Sequence, residues 1–243
     1  METYLNLCVS EDILNVDEHE SLPVDSDYPL LKRFAGYQDD ISQPEFINSG
    51  TQGCVFRFKY NGHDLCLKVF RNWEYPRSLH DAMPFNVSRK TQRLLTPFAR
   101  ECRAFARLCD LQQNGTWAVR CHGWMYLSDN QIAPLKKISM KLRRDPEWVN
   151  ARWAIVKDFL PGPPTSADLP AIFSNFDIAK KARILPGDAF AKNYRGPFIV
   201  DLGSSATFPF PRHFASQYSF DRFYKCCPEG VFEEDWLGSL IDE

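Results

Sequence analysis

No stretch of this chain strings together the roughly 18 apolar residues that a membrane-spanning helix needs, and the N-terminus has neither the basic n-region nor the apolar h-region of a secretory leader. Both absences lead to the expectation of an intracellular protein, in nucleus or cytoplasm, without membrane contact. There is no Cys-x-x-Cys either. The cysteines, Cys8, Cys54, Cys66, Cys102, Cys109, Cys121, Cys226 and Cys227, fall mostly inside apolar runs, which fits buried thiols of a reducing compartment better than a disulfide framework. The adjacent Cys226 and Cys227, with His213 upstream, lack the spacing of a zinc site, so no metal is assigned to cysteine. A cationic surplus is missing as well, because 29 Lys and Arg stand against 31 Asp and Glu. Phosphate-backbone binding needs that surplus on at least one face, and no direct contact with nucleic acid is expected.

Lys and Arg are absent from Met1 to Leu31, where Glu11, Asp12, Asp17, Glu18, Glu20, Asp25 and Asp27 accumulate and Pro23 and Pro29 interrupt any long element. Residues 1–43 are therefore expected to form an acidic, partly mobile arm. The remainder, 44–243, is long and apolar enough for one domain or a small two-lobed one.

Pro44 to Phe70 reads as strands. Val55, Phe56, Phe58 and Tyr60 lead into an Asn61-Gly62 hairpin signal, and Leu65 to Phe70 follows as a second strand. Ser49-Gly50-Thr51-Gln52-Gly53-Cys54-Val55-Phe56 has the look of half a glycine-rich loop. Without Cβ atoms, Gly50 and Gly53 let backbone amides approach phosphates and accept dihedrals barred to other residues. Lys68 sits in the middle of the apolar strand Leu65 to Val69, where burial is costly without an anionic partner. From Pro97 the apolar positions Phe98, Phe105, Leu108 and Leu111 fall near helical spacing, with Pro97 suited to a first turn and Glu101 one turn after Phe98. Thr116 to Leu127 suggests one or two strands across a turn at His122-Gly123, with His122 a satisfied turn histidine. Trp153 to Leu160 reads as a buried strand breaking at Pro161-Gly162.

Two further motifs lie downstream. Asp188 is followed five residues later by Asn193, and the strand-like run Phe198-Ile199-Val200 ends in Asp201-Leu202-Gly203. This order of glycine-rich loop, strand lysine, helix glutamate, Asp-x4-Asn and Asp-x-Gly resembles the protein-kinase-like superfamily. The resemblance is to its divergent fungal members, among them a family of fungal kinetochore subunits, and it spans about Phe46 to Ser205. It implies an α+β, bilobal kinase-like fold: an N-lobe over 44–160, with an antiparallel sheet and one helix, and a reduced C-lobe over 161–243. It implies ATP and Mg²⁺ as cofactors, with Gly50, Gly53, Val55, Lys68, Asp158 and Phe159 around the nucleotide and the backbone of Asp158 to Leu160 open to an adenine edge. Lys68 would contact phosphate, Glu101 would hold Lys68, Asp188 would orient the acceptor, and Asn193 and Asp201 would bind the metal.

The family pattern is broken at Asn48, which stands for a glycine, at Pro186, which stands for a histidine, and in the few dozen residues after Asp201, where Cys227-Pro228-Glu229 only faintly echoes an activation-segment ending. Two segments are basic. Arg71 to Thr96, with Pro76 and Pro84, is expected to be an irregular connection. Ser128 to Asn150, with Lys136, Lys137, Lys141, Arg143 and Arg144, is expected to be a solvated hairpin, with contact to an acidic protein partner or to the acidic arm as the sharper alternative. The leading function is that of an ATP·Mg²⁺-binding kinase-like protein acting as a weak phosphotransferase, and the alternative is a non-catalytic platform in a kinetochore-type assembly.

Overall fold

Alternation of bulky and polar side chains fixes which face of each strand is buried, and in this chain it builds a seven-stranded mixed sheet. The computed structural model describes residues 3–15, 28–72, 88–210 and 214–226. Its strands are β1 (Val9–Ile13), β2 (Leu31–Arg33), β3 (Ser42–Ser49), β4 (Gly53–Tyr60), β5 (His63–Phe70), β6 (Cys121–Tyr126) and β7 (Trp153–Asp158). They lie in the order β1-β2-β6-β7-β5-β4-β3. The five strands from β6 to β3 pair antiparallel, whereas β1 and β2 add parallel to the edge at β6. The β4–β5 turn is the Asn61-Gly62 pair, with φ of 48° and 80°, the left-handed values that a two-residue hairpin demands.

The N-terminal segment is not the arm that its acidity suggests. In its described parts Tyr4, Cys8, Val9, Leu31 and Phe34 are buried, and the Trp124 indole N–H donates to Ser10 O at 2.8 Å. The acidic residues that dominate its composition fall largely in 16–27, outside the described residues. Residues 73–87 of the basic connection lie outside them too, while its end forms α1 (Arg89–Leu94).

The helix α2 (Pro97–Asp110) begins at Thr96, whose hydroxyl accepts the Ala99 N–H, with proline in the first turn. It is buried on nearly every side. Phe98, Phe105 and Leu108 pack against one face of the sheet, and Arg103 and Arg107 reach the opposite way to the carbonyls of Thr207, Phe208 and Pro209. The other face of the sheet is covered by α3 (Asp129–Ile138) and α4 (Met140–Arg144), through Ile132, Leu135, Leu142 and Trp148. This corrects the expected solvated hairpin at 128–150. Ser128 and Gln131 form a reciprocal cap, and the Gln131 amide N–H groups donate to Tyr37 O and Asp39 O, tying the helix to the chain before β3.

Beyond β7 come α5 (Leu169–Lys181), the short strands β8 (Ile184–Leu185), β9 (Tyr194–Arg195), β10 (Phe198–Ile199) and β11 (Ala206–Thr207), and α6 (Gln217–Cys226). β8 pairs with β11 and β9 with β10, both antiparallel. The described C-terminal part is thus one long helix, two small hairpin-like ladders and a docked terminal helix, with the Tyr224 hydroxyl donating to Ile184 O at 2.6 Å. Cys227-Pro228-Glu229 lies outside the described residues.

His122-Gly123 is no turn between strands. Both residues lie within β6, where the β6–β7 register slips between Cys121 and Gly123. Gly123 has φ of 116°, and a Cβ there would sit 2.6 Å from Phe34 N and 2.7 Å from Lys32 O. The glycine is what lets the backbone of β2 and of Phe34 lie against β6. Gly123→Ala is expected to lose about 2–3 kcal/mol from strained backbone and steric conflict, seen as a fall in Tm of about 4–10 °C by calorimetry. An unchanged Tm would show that β2 does not depend on this close approach.

Candidate functional site

Period-two alternation puts Cys66 and Lys68 of β5, and Ile155 and Lys157 of β7, on the face of the sheet that α2 covers. Lys68 is paired with Ile155 and Lys157 with Cys66, so the two lysines stand one diagonal step apart. Glu101 comes down between them from α2. Its Oε2 is 2.7 Å from Lys68 Nζ and its Oε1 2.7 Å from Lys157 Nζ. Lys68 also meets Asp201 Oδ1 at 2.8 Å, and Lys157 donates to Val200 O at 2.7 Å. The result is a chain of charges, Lys157, Glu101, Lys68, Asp201, in which two ammonium groups neutralise two carboxylates. Glu101 and both lysines are almost wholly removed from water.

Burial by itself would lower the Lys68 ammonium, but Asp201 and Glu101 beside it raise it above the ordinary lysine value. Burial likewise pushes the Asp201 carboxyl up. Lys68, Lys157 and the Gly203 N–H, which donates to Oδ1 at 2.9 Å, outweigh this and hold it at about 2.

Asp201 leads into a tight loop against which two other loops are fitted. A Cβ on Gly187 would collide with the Ser204 carbonyl oxygen, and one on Gly203 with the Gln52 side-chain oxygen. Gly187 therefore allows the Asp188 loop to lie on the segment after Asp201. Asn193 ends a short 3-10 turn from Ala191 and donates its side-chain N–H to Asp188 O at 2.8 Å. Asp188 Oδ1 is buried without a hydrogen bond, the Lys192 ammonium lying 3.8 Å away.

Together these elements line a cleft of about 380 Å³. Gly50, Gly53, Val55, Lys68, Asp158, Phe159, Asp188, Asn193 and Asp201 all face it, and Glu101 sits behind its wall. The glycine-rich turn closes with Gly50 N–H donating to Gly53 O at 2.9 Å, and the Gln52 amide reaches across to Ser204 Oγ at 3.1 Å. Neither Gly50 nor Gly53 has a positive φ, so the expected need for barred dihedrals is not met. At Gly53 the reason for glycine is space, since a Cβ would lie 3.0 Å from the Lys68 stem. The backbone after β7 is also less open than expected. Asp158 N–H donates to Arg120 O at 2.9 Å, and Phe159 N–H points to Asp64 O at 3.4 Å.

The sequence model of the family described as kinetochore Sim4 complex subunit FTA2 matches residues 16–206. The chain belongs to that family. No curated protein matches it. The FTA2 match takes in the whole charge chain and every residue of the cleft, and ends at Ala206, where β11 begins.

Two members of this FTA2 site escaped the sequence reading. Lys157 carries a signal like that used for Lys68, a lysine directly after the apolar run Ala154-Ile155-Val156 in a strand expected to be buried, and the same argument applied to β7 would have found it. His122, expected to be a satisfied turn histidine, has its Nε2 2.6 Å from Oδ1 of Asp158, a residue that lines the cleft. Only the pairing of β6 with β7 brings these two together. Among the described residues no group of three or more His, Cys, Asp or Glu is arranged to hold a metal by itself.

Removing Glu101 leaves the buried Lys157 ammonium without a carboxylate, held only by Val200 O, whereas removing Lys157 leaves Glu101 paired with Lys68. Glu101→Ala should therefore cost about 3–5 kcal/mol and Lys157→Met distinctly less, measured as ΔG from urea unfolding. Equal losses would mean that the charges do not act as one chain. Asp201 gives a pH signature. Because its folded value, about 2, lies below its unfolded value of 3.8, its ionised form stabilises the fold above pH 4, and that contribution is lost as pH falls through 2. The stability difference between wild type and Asp201→Asn should be flat from pH 7 to 5 and shrink below pH 4. Asp110, which burial raises to about 6, acts with the opposite sign and cancels in this difference.

Proposed function

We propose that this chain acts in the nucleus as a protein-binding subunit of a kinetochore complex, on a kinase-like fold whose cleft takes Mg·ATP. The family match over residues 16–206 carries the subunit role. The kinase-like part is supported by the arrangement of the site. A strand lysine paired with a helix glutamate, an Asp-x-Gly aspartate beside that lysine, and an Asp-x4-Asn loop facing them are the parts that kinases use to position nucleotide and metal. The antiparallel run β3-β4-β5-β7-β6, with the helix between β5 and β6, supports it further.

The donor set fits magnesium. Asp201 and Asn193 offer hard oxygens, and two buried oxygens without hydrogen bonds, Asp188 Oδ1 and Gln52 Oε1, belong to residues lining the same cleft. Asp201 and Asn193 would hold the ion, which supplies charge neutralisation to bound phosphates. Lys68 contributes a fixed cation for phosphate, held in place by Glu101, and the glycine-rich turn covers the cleft. For transfer, Asp188 would accept the proton of an acceptor hydroxyl.

A second reading, weak phosphotransfer, is favoured by the retention of Asp188 within the cleft. Against it stands the reduced C-terminal part, which leaves little scaffold for an acceptor protein among the described residues. The two readings part at Asp188, which serves the acceptor and not the nucleotide.

Millimolar Mg·ATP should raise the Tm of the wild type. Lys68→Ala and Asp201→Ala should each weaken the affinity tenfold or more, the equivalent of about 1.5–3 kcal/mol for a charged contact. A folded wild type that shows no shift removes the nucleotide from the proposal. In cells whose own copy is replaced, Asp188→Asn should support kinetochore function fully. Failure of that variant at normal abundance, with normal incorporation into the complex, would add phosphotransfer to the subunit role.

A further inference from the structure

The helices α3 and α4 cover the back of the sheet with one side and turn an unusual surface outward. They meet at Ser139, whose hydroxyl accepts the Leu142 N–H, and this corner leaves Ile138 and Met140 to solvent, 41% and 53% exposed. Lys136 Nζ donates to Val149 O at 2.9 Å. That bond folds the loop after α4 back onto α3 and leaves Val149, 37% exposed, facing outward from the loop it tethers.

The cations around this corner are Lys136, Lys137, Lys141, Arg143 and Arg144. Among the described residues none of them makes an ion pair. The Arg143 guanidinium rests against the Met140 thioether, and Lys141 donates to Gly50 O at 2.7 Å, so the corner adjoins the glycine-rich turn.

We infer that the α3–α4 corner is a docking site for an acidic segment of another protein that also carries apolar side chains. This rests on the subunit reading above and gives it a surface. The apolar centre of Ile138, Met140 and Val149 requires apolar side chains on the partner, because exposed groups of this size gain only when water is excluded from both faces. The unpaired cations select acidic residues at the rim and speed encounter. A nucleic-acid backbone would satisfy the cations and leave the apolar centre wet.

The test uses the full chain and three fluorescent probes: a peptide of about 18 residues with leucines at i, i+3 and i+4 spacing among Glu and Asp, a Glu-only peptide of equal charge, and a DNA duplex of about 20 base pairs. The wild type should bind the leucine-containing peptide at least tenfold more tightly than either other probe, with affinity falling as salt rises. Lys137→Glu with Arg143→Glu and Arg144→Glu should lose at least tenfold. Ile138→Ser with Met140→Ser should bring the leucine peptide down to the Glu-only peptide. Tighter binding of the duplex, equal binding of the two peptides by the wild type, or unaltered binding by the charge-reversed variant overturns the proposal.

In cells, co-purification with the other subunits of the complex separates this idea from its foundation. A wild type that fails to co-purify defeats the subunit role itself. A wild type that incorporates while the charge-reversed variant incorporates equally well defeats the α3–α4 corner alone.

Discussion

One buried carboxylate organises this molecule. Glu101 lies between two lysines from neighbouring strands, and an unpaired charge at that depth would be several kcal/mol unfavourable. The helix that carries it must therefore stay at a fixed height over the sheet, and strands β5 and β7 must keep the register that sets Lys68 and Lys157 one diagonal apart. Lys157 extends the constraint by holding Val200 O, which fixes the approach to Asp201, and Lys68 closes it by meeting Asp201 itself. Sheet, helix and C-terminal loops are thereby tied at one point.

The surroundings of α2 follow from that requirement. A helix holding a buried ion pair on one side needs cover on the others, and the parallel strands β1 and β2 with the segment after β11 supply it. Arg103 and Arg107 enter this cover as donors to main-chain carbonyls. Burial lowers Arg103 to about 10, which leaves it charged at neutral pH. The two arginines bind the 207–209 stretch to the same helix that positions Glu101, so one helix fixes both that stretch and the wall of the cleft.

The back of the sheet obeys a different logic. In an antiparallel sheet one face can remain wet, but Phe56, Phe58, Leu65, Leu67 and Val69 make this one apolar, and α3, α4 and Trp148 bury it. The cations that cover the outer side of these helices hid the pattern. Ile132, Leu135 and Leu142 fall at helical spacing, yet five Lys and Arg among them gave the stretch the look of a solvated loop.

The sequence by itself determined the strands β4, β5 and β7, the hairpin at Asn61-Gly62, the start of α2 at Pro97 and the need of Lys68 for an anionic partner, because each rests on local chemistry: alternation, turn dihedrals, capping, and the improbability of a lysine in an apolar run. Tertiary structure decided the rest. That β1 and β2 join the sheet depends on the absence of a side chain at Gly123, far along the chain from the strands it admits. That Lys157 shares Glu101 with Lys68, and that His122 meets Asp158, depends on the pairing of β7 with β5 and β6. Such contacts are set by register between strands distant in the chain, and no window of sequence contains them.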